Sequence, residues 1–300
     1  MYHGMINVYK EKGFTSHDVV AKMRGICKQK KIGHTGTLDP DAVGVLPVCL
    51  GSATKLCDML TDKDKEYVAE FRLGLVTDTQ DSSGKVLEER EVLASLPMIR
   101  EAVCSFTGPS MQIPPMYSAL KVNGKKLYEL AREGKEIERK ARPIFIHSIE
   151  ILEEKFPDFT IRIHCSKGTY IRTLCHDIGQ KLGCGAVMTS LKRTKVGSFG
   201  IEQALTLSKL QMLSDEGRLS EVIVPVEKVF EKLPAVKVKE SAFKALQNGN
   251  QLKKEELAEE MILEPEEEYR VYSHEGIFFG VYRYEGRRKL LCPVKLFFIS

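Results

Sequence analysis

The sequence predicts an α+β fold followed by a small β-rich module. Segments that alternate as half-buried strands recur along the chain, helical segments lie between them, and no regular βαβ rhythm is present. A length of 300 residues is more than one compact core usually organises, which favours two units. A boundary is therefore expected near the Leu233-Pro234 pair, dividing residues 1–233 from residues 234–300.

The N-terminal elements surround a turn-rich region. A strand is predicted at residues 4–10, and Ser16 is a suitable N-cap for the helix that follows. The glycine-rich segment GHTGTLDPDAVG, residues 33–44, leads into the apolar run VLPVCLG. The alternation of EYVAEFRL, residues 66–73, predicts a half-buried strand.

The remaining elements follow in order. An amphipathic helix is predicted at residues 95–106, and the prolines of residues 108–123 exclude both a long helix and a central strand there. A basic helix, two paired strands and a further helix are predicted at residues 125–133, 144–152, 159–165 and 170–183. The C-terminal module should contain strands at residues 269–272, 277–284 and 290–298.

The composition is that of an ordinary soluble protein, with 43% hydrophobic and 29% charged residues. No segment approaches the roughly 18 consecutive apolar residues of a membrane span, and the N-terminus lacks the features of a signal peptide. The eight cysteines include no C-x-x-C pair, and the neighbours His164 and Cys165 would face opposite sides of a strand. We therefore expect a cytoplasmic protein with no metal site and no membrane association.

The distribution of charge is more informative than the net charge of +4. Residues 234–300 contain 11 basic and 11 acidic residues, so the excess lies in the rest of the chain. Residues 121–142 alone contain eight basic and four acidic residues. A basic patch on a near-neutral protein fits nucleic-acid binding. From charge alone, a solvated helix face fits equally well.

The strongest local motif is GHTGTLDP, residues 33–40. Its glycines allow positive φ and close backbone approach, and Pro40 holds Asp39 extended. A carboxylate at such a rigid turn is either a structural cap or a presented catalytic group. No Gly-Lys-Ser/Thr follows, which argues against a phosphate-binding loop.

Three other motifs carry candidate residues. Tyr170 and Arg172 in SKGTYIRTL are two residues apart, so an extended chain would direct both to a common site, although surface packing gives the same pattern. Tyr67 in DKEY is at the head of a strand, where tyrosine is usually a core or rim residue. The proline-stiffened, basic segment at residues 113–121 is either a clamp on RNA or a surface excursion.

Taken together, GHTGTLDP, the Asp-Lys-x-Tyr strand, IPPMYSALKVNGKKLYELAREG and CSKGTYIRTL resemble the motifs of TruB-type tRNA pseudouridine synthases, in that family's order and spacing. The similarity spans about residues 10–199. The family's usual Lys-Pro-x-Gly is replaced by Lys10-Glu11-Lys12-Gly13, which we expect to affect packing of the first turn rather than catalysis.

The resemblance implies a pseudouridine synthase catalytic domain with a mixed or antiparallel central sheet and flanking helices. It also implies an RNA-clamping thumb insertion at about residues 111–142, called the thumb segment below, and a PUA-like RNA-binding domain at residues 234–300. The implied substrate is the TΨC stem-loop of tRNA, in which uridine 55 becomes pseudouridine. No cofactor and no obligate protein partner are implied, and we expect a monomer.

The resemblance also implies the roles of individual residues. Asp39 would be the essential carboxylate, Arg172 would pair with it and keep it anionic, and Tyr67 would stack on the flipped base and assist proton removal from carbon 5. The other implied substrate-binding residues are His34, Tyr170, Leu191, Lys10, Lys125 and Lys126. The alternative is a non-catalytic tRNA-binding or folding protein on the same scaffold.

Overall fold

A computed structural model describes residues 1–122 and 124–297; Asn123 and Phe298, the ends of two predicted segments, lie outside these ranges. The strands are β1 (Gly4–Lys10), β2 (Ile32–His34), β3 (Val43–Leu50), β4 (Lys65–Leu73), β5 (Leu75–Thr77), β6 (Val86–Glu89), β7 (Gly108–Gln112), β8 (Lys121–Val122), β9 (Lys125–Lys126), β10 (Arg142–Lys155), β11 (Asp158–Cys165), β12 (Ala186–Val196), β13 (Phe199–Gly200), β14 (Ala235–Lys237), β15 (Leu252–Lys253), β16 (Glu268–Tyr272), β17 (Phe278–Glu285) and β18 (Leu290–Leu296).

The α-helices are α1 (Ser16–Cys27), α2 (Cys57–Thr61), α3 (Leu96–Cys104), α4 (Leu127–Arg132), α5 (Ile171–Lys181), α6 (Leu207–Asp215) and α7 (Phe243–Gln247). Short 3₁₀ helices span Gly51–Leu56, Ile201–Gln203, Leu219–Val222, Val226–Phe230, Glu240–Ala242 and Lys254–Glu256. Within the described ranges, no helix is long and apolar enough to cross a membrane. The α+β prediction is confirmed.

The larger sheet has the strand order β1-β3-β12-β4-β11-β10-β7, with β2 added to β3 and β13 added to β12. Its neighbouring strands are antiparallel except β3 and β12, which run parallel where Lys192 pairs with Val43 and Arg193 with Gly44. The sheet is therefore mixed, as predicted. The parallel pairing brings Arg193 beside the start of β3, close to the turn that contains Asp39.

Strand β7 forms one edge of this sheet. An edge tolerates Pro109, because a proline has no N–H to give to a neighbouring strand. The prediction that residues 108–123 form neither a long helix nor a central strand is confirmed in the part that the structure describes.

The N-cap of helix α1 lies one residue before the predicted one. Thr15, not Ser16, is the N-cap: its Oγ1 accepts from Asp18 N at 3.1 Å, and the Asp18 carboxylate accepts from Thr15 N at 2.8 Å. Serine and threonine are both favoured at the N-cap, with serine slightly ahead, so the sequence alone pointed to the wrong one of two neighbours. Ser16 is buried, and its Oγ accepts from Leu38 N at 2.9 Å, which ties α1 to the turn containing Asp39.

Two apolar clusters cover the larger sheet. Helices α3 and α5 pack on β4, β10 and β11 through the buried side chains of Ile99, Val103, Leu174, Ile178, Phe71, Phe159, Ile161 and Ile163. Helices α1 and α6 pack on β1 and β3 through Val19, Met23, Leu210, Leu213, Ile6, Val8, Leu46 and Val48. Each such side chain contributes about 1.5–3 kcal/mol when fully buried.

The second sheet has the order β14-β16-β17-β18-β15 and begins at Ala235. Its own apolar core includes Val236, Val238, Leu246, Tyr269, Val271 and Leu291. Phe278 and Val281 from this sheet, and Phe297 directly after β18, pack with Met5 and Phe230 in a shared cluster. The two sheets are therefore joined by an apolar contact.

Candidate active site

Asp39 and Arg172 form an ion pair although they are 133 residues apart in the chain. Asp39 lies in the turn between β2 and β3, and Arg172 lies in the first turn of α5. Arg172 Nη2 donates to Asp39 Oδ2. The Arg172 side chain is 8% exposed and that of Asp39 is 44% exposed, so the carboxylate remains accessible while its partner is buried.

A second carboxylate holds the same guanidinium from another side. Asp81 Oδ2 lies 3.3 Å from Arg172 Nη1, and its side chain is largely buried. The other oxygen of Asp81 accepts from Thr79 Oγ1 at 2.7 Å and from Ser83 N at 3.0 Å. The guanidinium is thus fixed between two carboxylates, one accessible and one anchored in the loop after β5. The sequence did not indicate Asp81, because the segment around it, TDTQDSSG, has the composition of an ordinary turn.

Lys10 holds the backbone on the C-terminal side of Asp39. It is completely buried, and its Nζ donates to the carbonyls of Pro40 at 3.0 Å, Ala42 at 2.5 Å and Glu11 at 3.2 Å. Burial lowers the pKa of Lys10 to about 8, although Asp39 and Asp41 act in the opposite sense. The expected contact of Lys10 with substrate is at odds with this placement, because a buried ammonium bound to three carbonyls is not available to RNA.

Arg193 holds the backbone on the N-terminal side of Asp39. The residue is 1% exposed. Its Nη2 donates to Gly36 O at 3.3 Å, Nη1 to Thr37 O at 3.4 Å and Nε to Val45 O at 2.8 Å. Gly44 allows this arrangement, since its φ is +107° and a Cβ there would lie 2.2 Å from Arg193 O. Arg193 was also missed, because one arginine in a strand has no distinctive spacing.

Tyr67 lies on the inward face of β4, in the same apolar cluster as Leu38 and Ala42. Leu191 on β12 packs against this cluster. Burial raises the pKa of the Tyr67 phenol, and the neighbouring Arg193 guanidinium acts in the opposite sense. The phenol is therefore protonated at neutral pH, with one apolar wall beside it.

Tyr170 is the N-cap residue of α5, next to the turn that carries Arg172. Gln112 at the end of β7 fixes its backbone: Tyr170 N donates to Gln112 Oε1 at 2.8 Å, and Gln112 Nε2 donates to Tyr170 O at 3.0 Å. Burial raises the pKa of Tyr170, while Ser118, Arg142 and Arg172 lower it. The start of the thumb segment is therefore attached to the site through Gln112, a residue that sequence reasoning did not single out.

His34 ends β2, and its ring meets the ring of His17 edge-on with the centroids 5.7 Å apart. Burial lowers the pKa of His34, and the charges of His17 and Arg193 lower it further. Its imidazole is therefore neutral at neutral pH, which suits contact with the apolar face of a base better than contact with a phosphate.

The two predicted thumb lysines have different surroundings. Lys125 is exposed. Lys126 is half-buried; its Nζ donates to Tyr128 Oη at 3.1 Å and lies 5.3 Å from the centre of that ring. Lys125 therefore presents its charge to solvent more fully than Lys126 does.

An accessible carboxylate held by a buried guanidinium, with two tyrosines close enough for its charge to raise their pKa, can attack or stabilise an electron-poor carbon next to a planar ring. This site on a mixed central sheet is that of a pseudouridine synthase.

The TruB family pseudouridylate synthase N-terminal domain matches residues 24–171, and the tRNA pseudouridylate synthase B C-terminal domain matches residues 172–231. The chain belongs to the TruB family.

Similar proteins cover almost the whole chain. The tRNA pseudouridine synthase B of Lachnoclostridium phytofermentans is 53% identical over 98% of this chain and 99% of its own length. That of Clostridium acetobutylicum is 47% identical over 93% of this chain and 94% of its own length.

Solved structures share the fold. A structure of an H/ACA RNP bound to a substrate RNA containing 2'-deoxyuridine matches with a TM-score of 0.72 and 28% identity, over 99% of this chain and 86% of the other. A Cbf5-Nop10-Gar1 complex matches with a TM-score of 0.72 and 29% identity, over 99% and 85% respectively.

The role of Asp81 in orienting Arg172 can be tested with Asp81→Asn. An amide keeps the size of the side chain but removes the second negative charge at the guanidinium. Because a hydrogen bond to a charged group contributes about 1.5–3 kcal/mol, we expect the single-turnover rate of pseudouridine formation to fall about 10- to 100-fold, with little change in the Kd for tRNA.

Asp78→Asn is the matched control, since Asp78 lies in the same loop and its carboxylate accepts from Lys85 N at 2.8 Å. Equal losses in the two variants would assign the effect to the loop as a whole. An Asp81→Asn rate equal to that of the unaltered protein would rule out the orienting role.

Proposed function

We propose that this protein converts uridine 55 of the tRNA TΨC loop to pseudouridine, in the cytoplasm, as a monomer without an obligate protein partner and without a cofactor. The observation that carries the proposal is the Asp39–Arg172 ion pair, with its accessible carboxylate, in a chain of the TruB family. The similarity to proteins named tRNA pseudouridine synthase B over nearly their full length supports tRNA as the substrate.

The target base must leave the stack of the folded loop before it reaches Asp39, which costs a few kcal/mol. We assign His34 to the space that the base leaves, because a neutral imidazole can stack on the neighbouring bases. Tyr67 stacks on the flipped uracil, and Tyr170 and Leu191 complete the walls around it. These contacts offset part of the unstacking cost.

In the chemical step, the bond between N1 of uracil and C1' of the ribose breaks and a bond between C5 and C1' forms. The proton on C5 is lost and N1 gains a proton, so the reaction is an isomerisation with no net change in composition. We assign to ionised Asp39 the nucleophilic or charge-stabilising role at this centre. Arg172 keeps the carboxylate oriented. We assign assistance in removing the C5 proton to the Tyr67 oxygen in its phenolate form, which the neighbouring Arg193 guanidinium stabilises against the effect of burial.

The backbone contacts around Asp39 support this assignment. Lys10 and Arg193 donate to carbonyls on both sides of it, so the carboxylate is oriented before the RNA arrives. Catalytic groups act most effectively when they need no reorganisation during the reaction. Lys10 therefore serves as a positioning residue in this proposal.

The RNA backbone is bound away from the reacting atoms. We assign this binding to the thumb segment, with Lys125 and Lys126, and to residues 234–300 as a PUA-like RNA-binding domain. The excess of basic residues at 121–142 supports an electrostatic, salt-sensitive contribution to affinity.

The function is tested with unmodified tRNA incubated with the protein in the absence of added metal and nucleotide, followed by site-by-site mapping of pseudouridine. We expect formation at position 55, lost in Asp39→Asn while tRNA binding persists. Substantial turnover in Asp39→Asn would refute the role of Asp39. Binding without pseudouridine formation by the unaltered protein would favour the non-catalytic RNA-binding alternative.

The thumb assignment is tested by reversing charge at Lys125 and Lys126 together. Each lost phosphate contact should reduce the slope of log affinity against log salt by roughly one. We expect the Kd for tRNA to rise at low salt, with turnover at saturating tRNA nearly unchanged.

Lys135→Glu is a control in the same segment, because Lys135 is already ion-paired with Glu133 at 2.8 Å. A Kd that does not change at low salt in the double variant would contradict the thumb assignment.

A further inference from the structure

We propose that Asp64, His147 and His164 form a binding site for one Zn²⁺ ion on the outer face of the larger sheet. The donor atoms of these three side chains all lie within 4.8 Å of one another. His147 Nε2 and Asp64 Oδ2 are 3.2 Å apart, and the two imidazole rings have their centroids 4.6 Å apart. The site goes beyond the proposed function and does not depend on it.

The three residues come from three adjacent strands. Asp64 directly precedes β4, His164 is the penultimate residue of β11, and His147 lies in β10. In the sheet, β4 pairs with β11 and β11 pairs with β10. Three ligands therefore meet at one end of neighbouring strands, on a framework held by ladder hydrogen bonds.

A bulge in β10 brings the two histidines together. Ile146 pairs with Cys165 and Ser148 pairs with His164, so His147 is an extra residue in β10. Such bulges redirect a side chain relative to the neighbouring strand. Ile146 and Cys165 are completely buried on the inner face, whereas His147 is exposed and its ring lies beside that of His164.

The ligand set fits zinc. Two neutral imidazole nitrogens and one carboxylate oxygen are common protein ligands of Zn²⁺, and water can take the fourth position of a tetrahedral site. Side-chain exposures of 36% for His147 and 47% for Asp64 leave the donors accessible to an ion from solvent. An ion pair between His147 and Asp64 needs no third group. The donor atom of His164 nevertheless lies within 4.8 Å of both, which favours an ion shared by all three side chains.

The site adjoins the chain that carries Tyr170 and Arg172. Phe145, two residues before His147, exchanges hydrogen bonds with Ser166: Phe145 N donates to Ser166 Oγ and Ser166 N donates to Phe145 O, both at 2.8 Å. A bound ion would link β4, β10 and β11 at the end of β11, where the chain enters the loop that leads to Tyr170 and α5. Zinc should therefore raise the thermal stability of the protein.

The sequence predicts no metal site, because these three ligands are not close together along the chain. The three ligands are brought together by the pairing of strands, since Asp64 and His147 are 83 positions apart in the chain. A bulge, which the sequence pattern does not indicate, aligns His147 with His164. His164 was noted only for its neighbour Cys165, which is buried on the opposite face.

The test uses tag-free full-length protein, stripped with a chelator and titrated with Zn²⁺ against a competing chromophoric chelator. We expect one Zn²⁺ per chain and a rise in Tm on zinc addition. His164→Gln and Asp64→Asn should each weaken binding by at least roughly 10- to 100-fold and abolish the rise in Tm. Co²⁺ should give the visible absorption of a tetrahedral site in the unaltered protein only.

His274→Gln is the matched control, because His274 lies 4.0 Å from Glu275 and belongs to a histidine–carboxylate pair outside the proposed site. This variant should bind zinc like the unaltered protein. His147→Gln provides an independent removal of a ligand if either other variant has an altered circular dichroism spectrum. Equal zinc affinity in the unaltered protein and in the folded ligand variants would overturn the proposal, as would the absence of stoichiometric binding.

Discussion

The guanidinium of Arg172 sits between Asp39 and Asp81, and the geometry of the site depends on that arrangement. A buried guanidinium is costly unless carboxylates compensate its charge, and removing one partner of such a group is strongly destabilising. Asp81 is anchored by its own loop, so it fixes the guanidinium and leaves Asp39 accessible. One interaction thus links the turn before β3, the loop after β5 and the start of α5.

Two further cations bind the backbone of the turn that carries Asp39. Lys10 and Arg193 are buried and donate to backbone carbonyls rather than to carboxylates. A buried cation without an acidic partner is stable only when its donors are satisfied in this way. The conformation of this turn is therefore fixed through its backbone carbonyls, by two side chains that are themselves buried.

The sequence predicted the elements with regular periodicity, and its motifs singled out Asp39 and Arg172, which the structure places in contact. The catalytic roles of these two residues stay predictions. It did not predict Asp81, Gln112 or Arg193, because these act through contacts between distant segments and occur in unremarkable surroundings. Lys10 was placed on the RNA because its burial depends on the pairing of β1 with β3, which local composition does not reveal. The Asp64–His147–His164 group was missed because a bulge creates it.

A crystal structure of Asp39→Asn bound to an unmodified TΨC stem-loop would test the arrangement around Arg172 most directly. We expect the target uridine to lie outside the stack, with its base against Tyr67 and its ribose or uracil within hydrogen-bonding distance of the side chain at position 39. We also expect Arg172 to remain in contact with Asp81. A target base that stays stacked in the loop, or a uridine bound away from position 39, would contradict the central role of the Asp39–Arg172–Asp81 arrangement.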